Sequence, residues 1–224
     1  MERLLDNKVR YLQIAFNYDR GLVRRVMPAI AESPRILIEA GTPYLKRVGM
    51  DGIRLIRRYW RGHVIADLKT VDGALGEVDM AHSAGATGIT VLGNSPVETL
   101  NLFIERCAQL GMISMMDTLG LEDPLRVMMN LEKPPDVVVL HRGRDEETTR
   151  GKLIQYRHVN RVRSKFNVLI SAAGGVDIKE ARSAIFNGAN IVVANLVKPS
   201  DPWTGISTQS DVAAMAAEFL ATIE

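Results

Sequence analysis

The chain has 224 residues, 46% hydrophobic and 24% charged, with a formal net charge of +2. That length supports one sizeable core, slightly short of the about 250 residues typical of an eight-fold barrel. The interspersed charge points to neither nucleic acid nor an anionic membrane, and 5% aromatic residues argue against a base-stacking platform.

Taken in chain order, the N-terminus reads Met-Glu-Arg-Leu-Leu-Asp-Asn-Lys, with charge where a signal peptide needs an apolar stretch. Residues 1 to about 10 are expected to form a short extension. No apolar run approaches the roughly 18 residues of a membrane span. The single cysteine, Cys107, excludes an internal disulfide and suits a reducing compartment, so a soluble, cytoplasmic protein is expected.

Short Val- and Ile-rich runs then recur at Tyr11–Phe16, Arg35–Glu39, His63–Asp67, Gly88–Leu92, Ile113–Asp117, Asp136–Leu140, Val168–Ala172 and Ile191–Asn195. Each has the length of a buried strand. Between them lie amphipathic stretches such as Leu100, Phe103, Ile104, Cys107 and Ala108, with cap signals at Ser95-Pro96 and Asp177 and glycine stops at Gly85, Gly111 and Gly188. Eight strand–helix units without a composition break predict an α/β chain with one parallel-stranded domain over residues 1–224. A closed (β/α)8 TIM barrel is the natural solution at that count, with an open doubly wound sheet as the alternative.

In parallel barrels the chemistry sits where strands end. The residues there are Asn17 and Asp19, Glu39, Asp67 with Lys69 and Asp72, Asp117, His141 with Arg144, and Gly174-Gly175. Asp67-Leu68-Lys69-Thr70-Val71-Asp72 is the strongest signal. Alternation along the strand predicts Asp67 and Lys69 on one side, with Asp72 opening the next helix. Two carboxylates around one ammonium would hold it protonated and ready to donate. The bare spacing also fits a salt-bridged loop.

Glu39-Ala40-Gly41-Thr42-Pro43, the Asp67–Asp72 segment, His141-Arg142-Gly143-Arg144-Asp145 and Ala173-Gly174-Gly175-Val176 occur in that order. Together they resemble the orotidine 5′-phosphate decarboxylase superfamily, and within it the 3-hexulose-6-phosphate synthase family most closely, from about Tyr11 to Val197. The resemblance implies a magnesium ion on Glu39 and Asp67, and Lys69 beside a cis-enediolate made from a pentulose phosphate. It implies a homodimer in which Asp72 reaches into the neighbouring site, and His141 as the proton-transfer residue; a buried structural histidine is the other reading. Asp117 matches an acidic position ending the fifth strand.

Gly174-Gly175 resemble half of a phosphate site, where backbone N–H groups approach oxygens closely; a tight turn alone is the plainer reading. Two departures stand out. Asn17 replaces the family's aspartate, with Asp19 two residues on as a substitute. Ala194-Asn195 replaces a glycine-containing pair at the end of strand eight, with Lys198 as a source of replacement charge.

The resemblance implies magnesium-dependent aldol addition of formaldehyde to ribulose 5-phosphate, or its reverse. Orotidine 5′-phosphate decarboxylase itself is disfavoured, because it uses a lysine where this chain has Glu39. The nearer alternative is a 3-keto-L-gulonate-6-phosphate decarboxylase, to which Arg144 points, whereas Thr42-Pro43, Thr70-Val71 and Asp117 look like the synthase. A sugar-phosphate-binding barrel without turnover is the alternative from another class.

Other features carry bland readings: the methionines as packing, Arg54, Arg57, Arg58 and Arg61 as a solvated helix face, and His82 and His158 at the surface. His63 is expected at the barrel bottom. Trp60 and Trp203 are expected to cover the barrel or a subunit contact.

Overall fold

Eight parallel strands pair in sequence order and close on themselves: β1 Tyr11–Phe16, β2 Ile36–Ala40, β3 Val64–Thr70, β4 Gly88–Leu92, β5 Ile113–Asp117, β6 Val137–His141, β7 Leu169–Ala173 and β8 Ile191–Val197. In this computed structural model, which describes residues 4–149 and 152–224, β1 pairs with β8 from Tyr11↔Ile191 to Ala15↔Asn195. That closure excludes the open sheet. A two-residue strand, Ile206–Ser207, pairs in parallel with Leu196 and Val197 at the end of β8. Among the described residues no helix is long and apolar enough to cross a membrane.

Period-two alternation divides each strand between two cores. Leu12, Ile14 and Phe16 of β1, with Ile36, Ile38, Val64, Ala66, Ile89 and Val91, pack in the larger cluster with the helices. Tyr11, Ala15, Leu37, Ile65, Ile113, Met115, Val137, Val139, Leu169, Ile191 and Val193 form a second, inner cluster. The N-terminal segment joins this inner cluster: Leu5 is buried and Val9 packs against it, with the Asp6 N–H donating to the Tyr11 hydroxyl at 2.8 Å. Residues 1–3 of the expected extension lie outside the described residues.

The helices follow their sequence signals with instructive exceptions. In Val97–Leu110 the buried face is Leu100, Phe103, Ile104 and Cys107, the expected stripe, and Gly111 ends the helix at φ +63°. Asp177 caps its helix by accepting from the Glu180 N–H. Ser95 is not a cap; its hydroxyl donates to the Thr70 carbonyl at 3.2 Å, and Pro96 takes the cap position. Arg57 is half-buried rather than fully solvated: its guanidinium donates to the carbonyls of Gly85, Trp60, Arg61 and Gly62, tying a helix end to two loops. His158 is buried at 3% exposure rather than at the surface, and Met129 is exposed. Trp60 is fully buried, while His63 contacts Thr87 Oγ1 before β3, as its position at the barrel bottom requires.

Candidate active site

The inward positions at the C-terminal ends of the strands are polar where those below are apolar. Gln13 comes from the middle of β1 and Asn17 from just past its end, Glu39 from β2, Asp67 and Lys69 from β3, Thr90 from β4, Asp117 from β5, His141 from β6 and Asn195 from β8. They line one cavity of about 180 Å³ at the barrel mouth, with Thr42, Arg144 and Gly174 among its walls. Met115, Val139 and Val193 of the inner cluster also line it. Burying this many polar groups is tolerable only if they satisfy one another.

Most do so through a chain of bonds, Gln13 Oε1 being buried without a partner among the described residues. Thr42 Oγ1 lies 2.7 Å from Asp67 Oδ2, and Thr90 Oγ1 donates to Asp67 Oδ1 at 2.8 Å. Lys69 Nζ donates to Asp67 Oδ1 at 3.0 Å and, in a short contact, to Asp117 Oδ2. The same Asp117 oxygen meets His141 Nδ1 at 2.8 Å, while Asp117 Oδ1 accepts from the Leu119 N–H. On the other side Gln13 Nε2 donates to Glu39 Oε2 at 2.5 Å.

These contacts set the protonation states. Burial works against the Lys69 ammonium, but the charges of Asp67 and Asp117 outweigh it and hold its pKa well above the usual lysine range. Burial would raise Asp117; the charges and hydrogen bonds of His141 and Lys69 hold it well below the usual carboxylate range instead. Glu39 moves the other way. Burial first, and the Asp67 charge second, push its carboxyl up to about 7.

Lys69 reaches this position by a route that simple alternation does not provide. It has φ +49°, the only described non-glycine residue with positive φ, and the β3–β4 register shifts between Ala66 and Thr70. Its N–H donates to Thr90 Oγ1 at 2.9 Å. A local bulge, braced by Thr90, turns the side chain into the mouth.

Asn17 Nδ2 donates to Asn195 Oδ1 at 2.9 Å, so the two departures from the family pattern form one amide pair across the β1–β8 seam. A Cβ on Gly41 would sit 2.1 Å from Asn17 Oδ1, so the close approach of that residue requires glycine. Asp19 is no substitute for Asn17. It is exposed and caps the next helix, accepting from the Leu22 N–H at 2.9 Å. Lys198 is also absent from the pocket lining, its ammonium lying 4.8 Å over the Tyr18 ring.

Gly174 lines the mouth and Gly175 does not. Gly174 has φ +99°, and a Cβ there would meet the Arg142 carbonyl oxygen at 1.9 Å. The Arg142 guanidinium donates to the carbonyls of both glycines, at 2.9 Å to Gly174 and 3.2 Å to Gly175. Arg144 lines the mouth with its guanidinium 4.4 Å from the Trp203 ring centroid. Asp72 is exposed and outside the pocket of its own chain; the helix begins at Ala74, after Gly73, rather than at Asp72.

Gln13, Thr90 and Arg142 were not singled out by sequence reasoning. Gln13 and Thr90 occupy the same inward register as the charged residues, the one signal that could have found them.

The donor set can be tested against magnesium. Among the described residues no cluster of three or more His, Cys, Asp or Glu is arranged to hold a metal. Glu39 and Asp67 supply two carboxylates, which suffices for an ion that retains several waters. Burial first and the Asp67 charge second push Glu39 up, and a dication would relieve the second of these.

Known proteins share this architecture. A 3-hexulose-6-phosphate synthase structure superimposes with a TM-score of 0.78 at 27% identity, covering 96% of this chain and all of that one. The 3-hexulose-6-phosphate synthase from Salmonella typhimurium gives 0.83 at 24% identity over 95% and 98% of the two chains, a likeness of fold. The bifunctional enzyme Fae/Hps of Methanosarcina barkeri is 35% identical over 212 residues, 94% of this chain and 52% of that protein. The chain thus spans about half the length of the curated relatives it matches. Residues 12–195 match the family model for orotidine 5′-phosphate decarboxylase / HUMPS, and the chain belongs to that family.

Proposed function

We propose that this chain catalyses the aldol addition of formaldehyde to ribulose 5-phosphate, giving 3-hexulose 6-phosphate, and the reverse cleavage. The observation that carries this reading is the Asp67–Lys69–Asp117–His141 chain of contacts, set beside Glu39 in one barrel mouth. The names and extent of the similar proteins support it.

His141 spends Nδ1 on Asp117, which leaves Nε2 to exchange a proton with substrate. In the synthetic direction His141 takes the C1 proton of ribulose 5-phosphate, and the C–H electron pair moves to the C1–C2 bond as charge builds on the C2 oxygen. Lys69, held protonated, stabilises that oxygen rather than acting as base. C1 then attacks the formaldehyde carbon, the carbonyl re-forms at C2, and the new alkoxide takes the proton back from His141. Magnesium held by Glu39 and Asp67 would supply positive charge beside the oxygens of the enediolate.

Gly174 and the amide of Asn195 are assigned to the phosphate end, and Asn17 to a sugar hydroxyl. The exposed position of Asp72 suits a role in a second subunit's site. Val71 and Leu75, after β3, and Val97 and Leu102, on the neighbouring helix after β4, are exposed apolar residues that suit the contact of such a homodimer.

Arg144 favours a second reading. A cation on the mouth wall is placed to order the water that protonates a decarboxylated enediolate, as a 3-keto-L-gulonate-6-phosphate decarboxylase requires.

The test is formaldehyde release from 3-hexulose 6-phosphate, with magnesium and with EDTA. Magnesium-dependent release that disappears in Asp67→Ala and His141→Ala is expected. No release from folded protein would overturn the synthase reading, and 3-keto-L-gulonate 6-phosphate is the substrate to try next. Binding of ribulose 5-phosphate with no turnover of either substrate would mark a binding barrel.

A further inference from the structure

Away from the mouth, four arginines line a groove of about 210 Å³ between two helices, Arg20–Val26 and Asp51–Arg57. Arg20 and Arg24 are four residues apart on the first helix. Arg54 and Arg58 are four apart on the second and its cap, so each pair shares a face. Leu55 is the apolar member of the lining, and Asp51 is its one carboxylate. Asp51 accepts from Arg54 at 2.8 Å and from Arg20 at 3.4 Å. Among the described residues no ion pair engages Arg24 or Arg58, which leaves the lining three positive charges in excess.

Helix stability accounts for this arrangement only in part: Arg24 and Arg54 lie in last turns, where the dipole favours a cation, but Arg20 does not. Arg20 is the first residue of its helix, at the positive end of the backbone dipole, beside the Asp19 carboxylate that caps the Leu22 N–H. Like charges four residues apart also repel along each helix. Both like-charge pairs face one groove, a pattern that points to a requirement outside the helices themselves.

An anion with several oxygens meets that requirement. Guanidinium groups present rigid forks that grip phosphate oxygens two at a time, and a concave wall lets forks from both helices reach one ligand. Among the described residues no lysine is in the lining. We propose that this groove binds a small anion carrying two or more phosphate groups, on the outer wall of the barrel. None of its lining residues belongs to the mouth cavity, so the site stands independently of the aldol reading.

Calorimetric titration of the full chain with inorganic pyrophosphate tests it. One saturable site is expected that survives Lys69→Ala and weakens by about tenfold or more in the Arg24→Ala/Arg58→Ala protein. Arg24→Lys/Arg58→Lys, which preserves charge and helix propensity but loses the forks, should bind measurably more weakly than wild type. Circular dichroism checks that each variant is folded. Affinity unchanged in the alanine variant, loss in Lys69→Ala instead, or a signal reproduced by sodium chloride at equal ionic strength would overturn the proposal.

Discussion

Asp117 and His141 are joined by a 2.8 Å hydrogen bond at Nδ1, and the Asp117 oxygen that forms it also contacts Lys69. One buried carboxylate therefore orients both the residue assigned to move the proton and the residue assigned to stabilise the oxygen. Asp117→Asn keeps the shape and removes the charge. A fall in kcat of about 10²–10⁴ is expected, with a much smaller change in KM. Steady-state rates within a few-fold of wild type would remove Asp117 from the relay.

The same carboxylate makes a pH prediction. Its folded pKa is depressed by Lys69 and His141, so its stabilisation is present above the unfolded value of about 4 and is lost as pH falls through the folded value. Asp117→Asn should melt below wild type at pH 7, and the gap should narrow in acid. A gap that is constant with pH would mean that packing, not charge, accounts for it.

Glu39 carries the opposite sign. Its folded pKa of about 7 exceeds the unfolded value, so its contribution is full below that unfolded value and is lost as pH rises through about 7. In EDTA the protein should lose roughly 3 kcal/mol or less between pH 4 and pH 8 from this group. Glu39→Gln should flatten that part of the profile, and magnesium at pH 8 should restore stability in wild type alone. Melting curves with and without EDTA read all three.

Arg142 holds the Gly174-Gly175 carbonyls from behind. If these glycines bind phosphate, Arg142→Gln should raise KM for the sugar phosphate about tenfold while changing kcat less. Equal effects on both constants, or on kcat alone, would assign Arg142 a different role. Gly174→Ala should fail more generally, since its Cβ would collide with the Arg142 carbonyl at a backbone angle that alanine disfavours.

Asp72 supplies a test of assembly. Inactive Asp72→Ala and Lys69→Ala proteins, mixed and allowed to exchange subunits, should regain activity through hybrid dimers. No recovery after demonstrated exchange would place each site within one chain.

Much of this was legible because parallel strands buried on both faces leave plain apolar runs. The runs at Tyr11–Phe16, Gly88–Leu92 and Ile113–Asp117 have the observed bounds, and most others begin one residue early. The carboxylates and His141 were found because charge at the end of an apolar strand is conspicuous. Asp19 was misplaced because alternation was carried past Phe16, where the chain leaves the sheet and a cap takes over. His158 and Arg57 were misjudged because their burial depends on neighbours remote in sequence. Thr90 and Gln13 are uncharged, so nothing marked them until the barrel closed and brought Asp67 and Glu39 against them.

The left-handed backbone at Lys69 sets stability and chemistry against each other at one residue. Glycine would relax the angle and asparagine would tolerate it. Either would remove the only lysine among the described residues of the mouth lining. Position 69 is thus where a search for hardier variants of this barrel would select a quieter one, and where improved melting should serve as a warning of lost turnover.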